Sequence, residues 1–272
     1  MQDFFELFTY NFFQKAFLSA VLASISCGIV GTYIVSRRMV FISGGITHAS
    51  FGGVGIGYYL GFPPLAGAAI FAVLAALITE NLTRKKILRN DSIIAIMWSL
   101  GMALGIIFVY LTPGYAPNLM SYLFGSIITV THFDLWLMAL LALVIVLFFT
   151  LLFKPILYVA FDERFARTRG IPVMLINYLL IILVALTIVL SIRIAGIILV
   201  LSVLTIPQNI SNLFTNRLGH IMIGSIVLGL IASAAGLLSS YYMDIPSGAT
   251  IIFCLVVMYM AARLIKVVIF GK

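Results

Sequence analysis

The chain has 272 residues, of which 63% are hydrophobic and only 9% charged, and its mean hydropathy is +1.22. Soluble domains carry about 25% charged residues, so this composition excludes a water-soluble globular protein and indicates an integral membrane one. The net charge of +8 does not call for a nucleic-acid partner. The basic residues sit in short clusters between apolar runs, which is how a membrane protein encodes its orientation in the lipid bilayer.

Crossing the hydrocarbon core takes roughly 20 apolar residues. Nine runs qualify: 15–36, 40–60, 63–83, 92–111, 132–153, 172–191, 194–214, 220–241 and 247–267. The expected fold class is therefore all-α, a polytopic helical bundle forming a single transmembrane domain over 1–272. Ahead of the first run, MQDFFELFTYNFFQK places Asp3 and Glu6 before Lys15, and no small-residue cleavage site follows. That is not a signal peptide, and the first span is expected to be retained. Cys27 and Cys254 lie inside apolar runs without a CxxC, so neither a disulfide framework nor a structural zinc site is indicated.

The second run carries residues that a membrane span usually avoids. Its stretch GGITHASFGGVGIG, 44–57, places six glycines and His48 where lipid tolerates neither easily. A helix entering at about residue 39 and rising 1.5 Å per residue brings His48 about 14 Å up, near mid-depth. A neutral imidazole there is a ligand for zinc, manganese or iron, with Thr47 and Ser50 as nearby oxygens and Cys27 as a soft alternative. The bland alternatives are a buried histidine hydrogen bond and a packed thiol that behaves as a small hydrophobe. The glycines let either a neighbouring helix or a hydrated ion approach the backbone. Small residues also recur at helix-packing spacing at Gly53, Gly57 and Gly61, at Gly101 and Gly105, and at Ala232, Gly236 and Ser240.

Basic residues set the orientation. With the N-terminus outside and the C-terminus cytoplasmic, fourteen of the sixteen Lys and Arg fall in inner segments, leaving only Lys15 and Arg193 outside. None of the eight acidic residues lies near the middle of a run, which argues against a proton-driven carrier, since such carriers hold the coupling proton on a buried carboxylate. A sodium-coupled variant that uses backbone carbonyls remains open. The sequence has no GxxxxGK[ST], so the chain is not expected to bind and hydrolyse a nucleotide itself.

Between the fifth and sixth runs lies KPILYVAFDERFARTRGIP, 154–172. Proline near its start and Gly170 near its end delimit one short helix. Phe161 and Phe165 share a face at i,i+4 spacing, and Asp162, Glu163, Arg164 and Arg167 surround them with charge. This segment is either an amphipathic helix resting on the membrane surface or a docking knob for a soluble partner that supplies force. Further on, Pro207 alone among the prolines sits well inside a run. It is expected to kink that helix. Gln208 and Asn209 follow it, and their amides should face protein or a watery path.

Taken together, ITHASFGGVGIGYYLG (46–61), DSIIAIMWSLGMALGIIF (91–108), YLFGSI (122–127), FDERFARTRGIP (161–172), RIAGIILVLSVLTIP (193–207) and GLLSSYYMDIPSGATII (236–252) resemble the membrane permease of the zinc/manganese/iron group of ATP-binding-cassette importers, the ABC-3 family. The likeness covers nearly the whole length. It implies a homodimeric permease in a prokaryotic cell membrane, a cytoplasmic ATPase subunit docked on FDERFARTRG, and an extracytoplasmic metal-binding protein. The outer loop around 112–131 and the PSG element at 246–248 would receive that delivery protein. It also implies that the chain is no enzyme by itself and that zinc, manganese or iron is cargo, with no cofactor permanently bound. With the family in view, His48 falls on the metal path. One departure stands out: the family's second span reads like G-D-A-x-S-H, and here Gly44 replaces the aspartate. The rival readings are import of a metal chelate by the same architecture and a stand-alone carrier driven by an ion gradient.

Overall fold

The structure, a computed structural model, describes residues 10–86, 88–113 and 130–271. The YLFGSI element and most of the expected outer loop at 112–131 lie outside the described residues. The described elements are α1 (Asn11–Ser36), α2 (Val40–Leu60), α3 (Pro64–Arg84), α4 (Asn90–Leu111), α5 (His132–Leu151), α6 (Phe153–Phe161), α7 (Glu163–Thr168), α8 (Val173–Val203), α9 (Ile206–Phe214), α10 (Leu218–Met243) and α11 (Ser247–Phe270). There is no strand among the described residues, in agreement with the all-α expectation.

Among the described residues, eight stretches are helical, long and apolar enough to cross a bilayer, and they coincide with eight of the nine apolar runs. The remaining run is α2, whose glycines, hydroxyls and His48 dilute its hydropathy. Its 21 residues nonetheless span about 31 Å at 1.5 Å per residue. Neighbouring contacts follow α2 from end to end: Gly45 against Ile94, Ala49 and Gly52 against Gly101, Gly55 against Gly105, Gly53 against Gly67, and Gly57 against Pro64. The numbering rises together on α2 and α4 and in opposite senses on α2 and α3. Thus α2 runs parallel to α4 and antiparallel to α3, over the same thickness as these two span-length helices.

The chain forms two compact units. One contains α1 up to Val35, α5 up to Phe148 and everything from Ser191; the other contains Ser36 through α4 and Phe149 to Leu190. In the second unit α2 is the central helix, with thirteen buried residues, ten of them Gly, Ala, Ser or Thr. A Cβ on Gly53 would collide with the Gly67 backbone, and one on Gly67 with that of Gly53. Only the absence of both lets α2 and α3 approach backbone to backbone, where dispersion holds the helices together. Gly45, Gly52, Gly53, Gly55 and Gly57 thus all lie close against a neighbouring helix or its lead-in. Gly61 does not join this seam. It ends α2 in the left-handed conformation (φ 75°), with its own N–H and that of Phe62 bonding back to Tyr58 and Gly57.

In the first unit, α9, α10 and α11 pack mutually, with Gly236 close against Ile251. The expected kink at Pro207 is a full break. α8 ends at Val203, and α9 restarts at Ile206 with Pro207 in its first turn, where the missing N–H costs nothing. A second departure from helix lies upstream at Gly196 (φ 75°, ψ 166°).

Candidate functional site

In α2, His48 is half-buried and stacks on Trp98 of α4, with ring centroids 4.0 Å apart and planes 6° from parallel. Its Nδ1 is buried and has no hydrogen-bond partner. The ring is thus neither sealed among aliphatic side chains nor satisfied by a carbonyl or hydroxyl. Thr47 and Ser50 are fully buried, and their hydroxyls donate along their own helix, to Ser43 O and Thr47 O at 2.7 Å each. Helix periodicity turns Thr47 about 100° and Ser50 about 200° away from His48, so neither shares its face. Trp98 was not singled out from sequence. The only signal was an indole within an otherwise aliphatic stretch.

In the first unit, Cys27 is buried with its Sγ 3.7 Å from Ser191 Oγ, the packing of an inert buried thiol. Gln208 is completely buried. Its Nε2 donates to Cys27 O (2.9 Å) and Val203 O (3.1 Å), and its Oε1 has no partner. Gly31 opposite has no Cβ, and one there would meet this amide at 2.5 Å. Of the two amides after Pro207, Gln208 faces protein, whereas Asn209 is exposed and donates to Thr205 O. Among the described residues no three His, Cys, Asp or Glu side chains converge as a metal cage.

The segment 154–172 is not one helix but two, α6 and α7, broken at Asp162. Asp162 is extended (φ −147°, ψ 95°), and its carboxylate accepts from Arg164 N (2.9 Å) and Phe165 N (3.0 Å), capping α7. Aspartate just before a helical turn is an N-cap signal, legible in DERF but masked by the Pro-to-Gly framing of the segment. Gly170 closes the segment at φ 71°, a conformation that favours glycine. Phe161 and Phe165, now on different helices, are 66% and 40% exposed. Phe165 meets Tyr158 edge-on at 5.4 Å and lies under Arg169 at 5.2 Å. Arg164 and Arg167 form no ion pair under 4 Å among the described residues.

Glu163 turns the other way. Its Oε1 accepts from Arg37 Nη2 (2.7 Å) and Asn177 Nδ2 (3.1 Å). Partial burial pushes this carboxyl up, but the bonds from Arg37 and Asn177 and the charges of Arg37 and Arg84 outweigh it, so its pKa lies below the ordinary glutamate value. Arg84 itself pairs with Glu80 at 2.6 Å. Arg37 and Asn177 were not read as site residues from the sequence. Asn177, a lone amide in an aliphatic run, was the available signal. The described carboxylates Glu80, Asp91, Asp134, Asp162, Glu163 and Asp244 all lie near helix ends or in connections, as the sequence implied.

Span-length apolar helices, carboxylates kept to the helix ends, and a capped, aromatic-bearing helix pair left uncovered between two spans define a multi-pass membrane permease. The chain belongs to the ABC 3 transport family, whose model matches residues 9–266. It is 42% identical over 251 residues to an uncharacterized membrane protein of Synechocystis sp., covering 92% of this chain and 89% of the relative. It is 34% identical over 249 residues to a manganese transport system membrane protein of Halalkalibacterium halodurans, covering 92% and 85%. Among solved structures, PsaBC from Streptococcus pneumoniae in complex with Fab superposes with a TM-score of 0.85 at 30% identity, covering 96% of each chain. The resemblance read from the motifs is thereby borne out, as are the polytopic helical fold and the multi-pass location in a bacterial cell membrane.

Proposed function

We propose that the chain imports a divalent transition metal into the cytoplasm, manganese ahead of zinc or iron, as the permease subunit of an ATP-binding-cassette importer. The observation that carries this reading is the end-to-end likeness, from residue 9 to residue 266, to transport permeases of this family, one of them a manganese system protein. The chain acts as one permease domain over 1–272. It pairs with a second copy, takes metal from an extracytoplasmic binding protein, and leaves ATP hydrolysis to a separate cytoplasmic subunit. The N-terminus lies outside and the C-terminus inside, because that arrangement puts most Lys and Arg in inner segments.

The exposed Phe161 and Phe165, flanked by Arg164, Arg167 and Arg169, suit docking of a soluble partner better than burial in lipid. Asp162 and Gly170 hold that knob by capping its helix and ending it, and Glu163 anchors it. His48 offers the unpaired Nδ1 as a transient metal contact, with Trp98 fixing the plane of the ring. Thr47, Ser50 and Cys27 are weaker candidates, since their polar atoms are already engaged. Around the break at Pro207, exposed Asn209 and the free Oε1 of Gln208 are the polar groups a path would use. The family pattern that the sequence resembles has an aspartate where Gly44 stands, and among the described residues no cluster of His, Cys, Asp or Glu neutralises a dication beside His48. The ion therefore passes rather than rests, and a chelated or hydrated cargo fits the same gap.

The test is uptake by the permease–ATPase assembly in vesicles, with free Mn, Zn and Fe and with their small-molecule chelates. ATP-dependent uptake of free Mn is expected. Flux through the permease alone would instead favour the gradient-driven carrier. His48→Ala should lower uptake roughly tenfold, the order of effect seen when a metal-site contact is lost, with assembly intact. Unchanged uptake at every metal concentration would remove His48 from the path.

A further inference from the structure

We infer that Arg37 is a positioning residue, a strut that locks the angle between α6 and α7 and ties the docking element to the α1–α2 connection. This rests on the reading of 161–170 as the ATPase-docking element. The backbone breaks at Asp162, so nothing in the helix ladder itself fixes α7 relative to α6. Arg37 spans that break. Its Nη1 donates to Val159 O (3.1 Å) and Ala160 O (3.5 Å), carbonyls in the last turn of α6, and its Nη2 donates to Glu163, the first residue of α7.

A guanidinium suits this job. The last carbonyls of a helix lack partners and carry partial negative charge, and a planar fork engages them and a carboxylate together, as an ammonium cannot. Asn177 of α8 donates to the same carboxylate oxygen, so three segments converge on Glu163. Apart from the edge contact of Phe165 with Tyr158, the join is polar. Arg37 and Glu163 line a cavity of about 290 Å³ together with Arg38, Glu80, Arg84 and Asp91. Apolar burial holds α6 through Ile156 and Val159, while α7 buries only Ala166. Without Arg37, α7 would keep its partner-facing residues but swing about Asp162. Movement of the ATPase would then be absorbed at the hinge instead of reaching the spans.

The experiment uses the complete permease–ATPase assembly in vesicles and reads three quantities: ATPase capture, ATP hydrolysis, and Mn moved per ATP hydrolysed. Hydrogen exchange over 159–168 is read alongside. Arg37→Gln should leave capture and hydrolysis unchanged, lower Mn per ATP at least about fivefold, the low end of ordinary coupling energies, and quicken exchange over 159–168. Arg37→Lys should fall between. If Arg37→Gln yields no folded permease, Asn177→Leu removes the other bond to Glu163 and should show a smaller loss in the same ratio. A wild-type ratio and wild-type exchange in the variant that assembles overturn the strut. Loss of ATPase capture in Arg37→Gln also overturns it, since that would make Arg37 part of the docking surface. A wild-type assembly that pumps while the variants match it leaves the proposed function standing. A wild-type assembly without ATP-dependent uptake overturns both.

Discussion

Two parts of the same unit are held together in opposite ways. Across α2, α3 and α4 the helices meet through glycine and alanine, backbone against backbone, with few polar atoms to satisfy. At the α6–α7 junction the helices meet through the edge contact of Phe165 with Tyr158 and through one carboxylate, one guanidinium and one amide beside a cavity. The first contact has no slack, because close-packed surfaces resist small changes in volume. The second can lengthen or re-pair its bonds at modest cost, because half-buried polar contacts are worth little net. A transporter needs both properties: spans that move as solid pieces, and a joint where force enters.

The contrast can be broken most severely at Gly53. Gly53→Leu forces a side chain into the Gly67 backbone and should destabilise the protein by about 3 kcal/mol or more. The expected readout is a large fall in detergent-solubilised yield and thermal midpoint; a wild-type midpoint would disprove the tight seam. Next comes Phe161→Ala with Phe165→Ala. These side chains are exposed, so stability should change by less than about 0.5 kcal/mol. Capture of the ATPase should fall at least tenfold, about 1.4 kcal/mol of binding. Normal co-purification together with normal uptake would contradict the docking role.

Asp162→Ala removes the cap of α7 and should cost about 1 kcal/mol locally, visible as faster hydrogen exchange at Arg164 and Phe165 with the spans unaffected. The smallest effect concerns pH. Glu163 has its pKa lowered below the ordinary 4.5, so its ionised form supports the junction above that value. That support is lost only as pH falls through the lowered value. Proteolysis at Arg164–Arg169 should therefore be flat from pH 7 to 5 and rise only below about 4.5. A rise already at pH 6 would mean that Glu163 is not held as described.

Periodicity and apolar run length placed the spans within a few residues, because a stretch of about 20 apolar residues in lipid has no alternative to a helix. The same reasoning located the two breaks less well. Pro207 was read as a kink, since proline in a span commonly bends a helix that neighbours repair. Here Leu204 and Thr205 leave the helix and Gln208 folds back onto Cys27 O and Val203 O. That choice depended on a partner 181 residues away, which no local pattern reveals. Asp162 was the reverse case: the cap was written in DERF, but Pro155 and Gly170 suggested a single helix and masked it. His48 was found from its cost in lipid, whereas Trp98 was not, because an indole in an apolar run costs little and so carries no signal.

What the amino-acid order determined by itself was the class of the protein: hydrophobic runs of spanning length, charge confined to their ends, glycine at helix-contact spacing, and an aromatic knob between spans. These follow from transfer free energies that each residue carries wherever it stands. What only the tertiary structure decided was partnership. Gly53 and Gly67 form one contact, His48 stacks on Trp98, and Arg37 bridges Val159, Ala160 and Glu163 across 126 positions of chain. Such pairings depend on which surfaces the folded chain brings within a few ångströms, and local preference does not encode that distance.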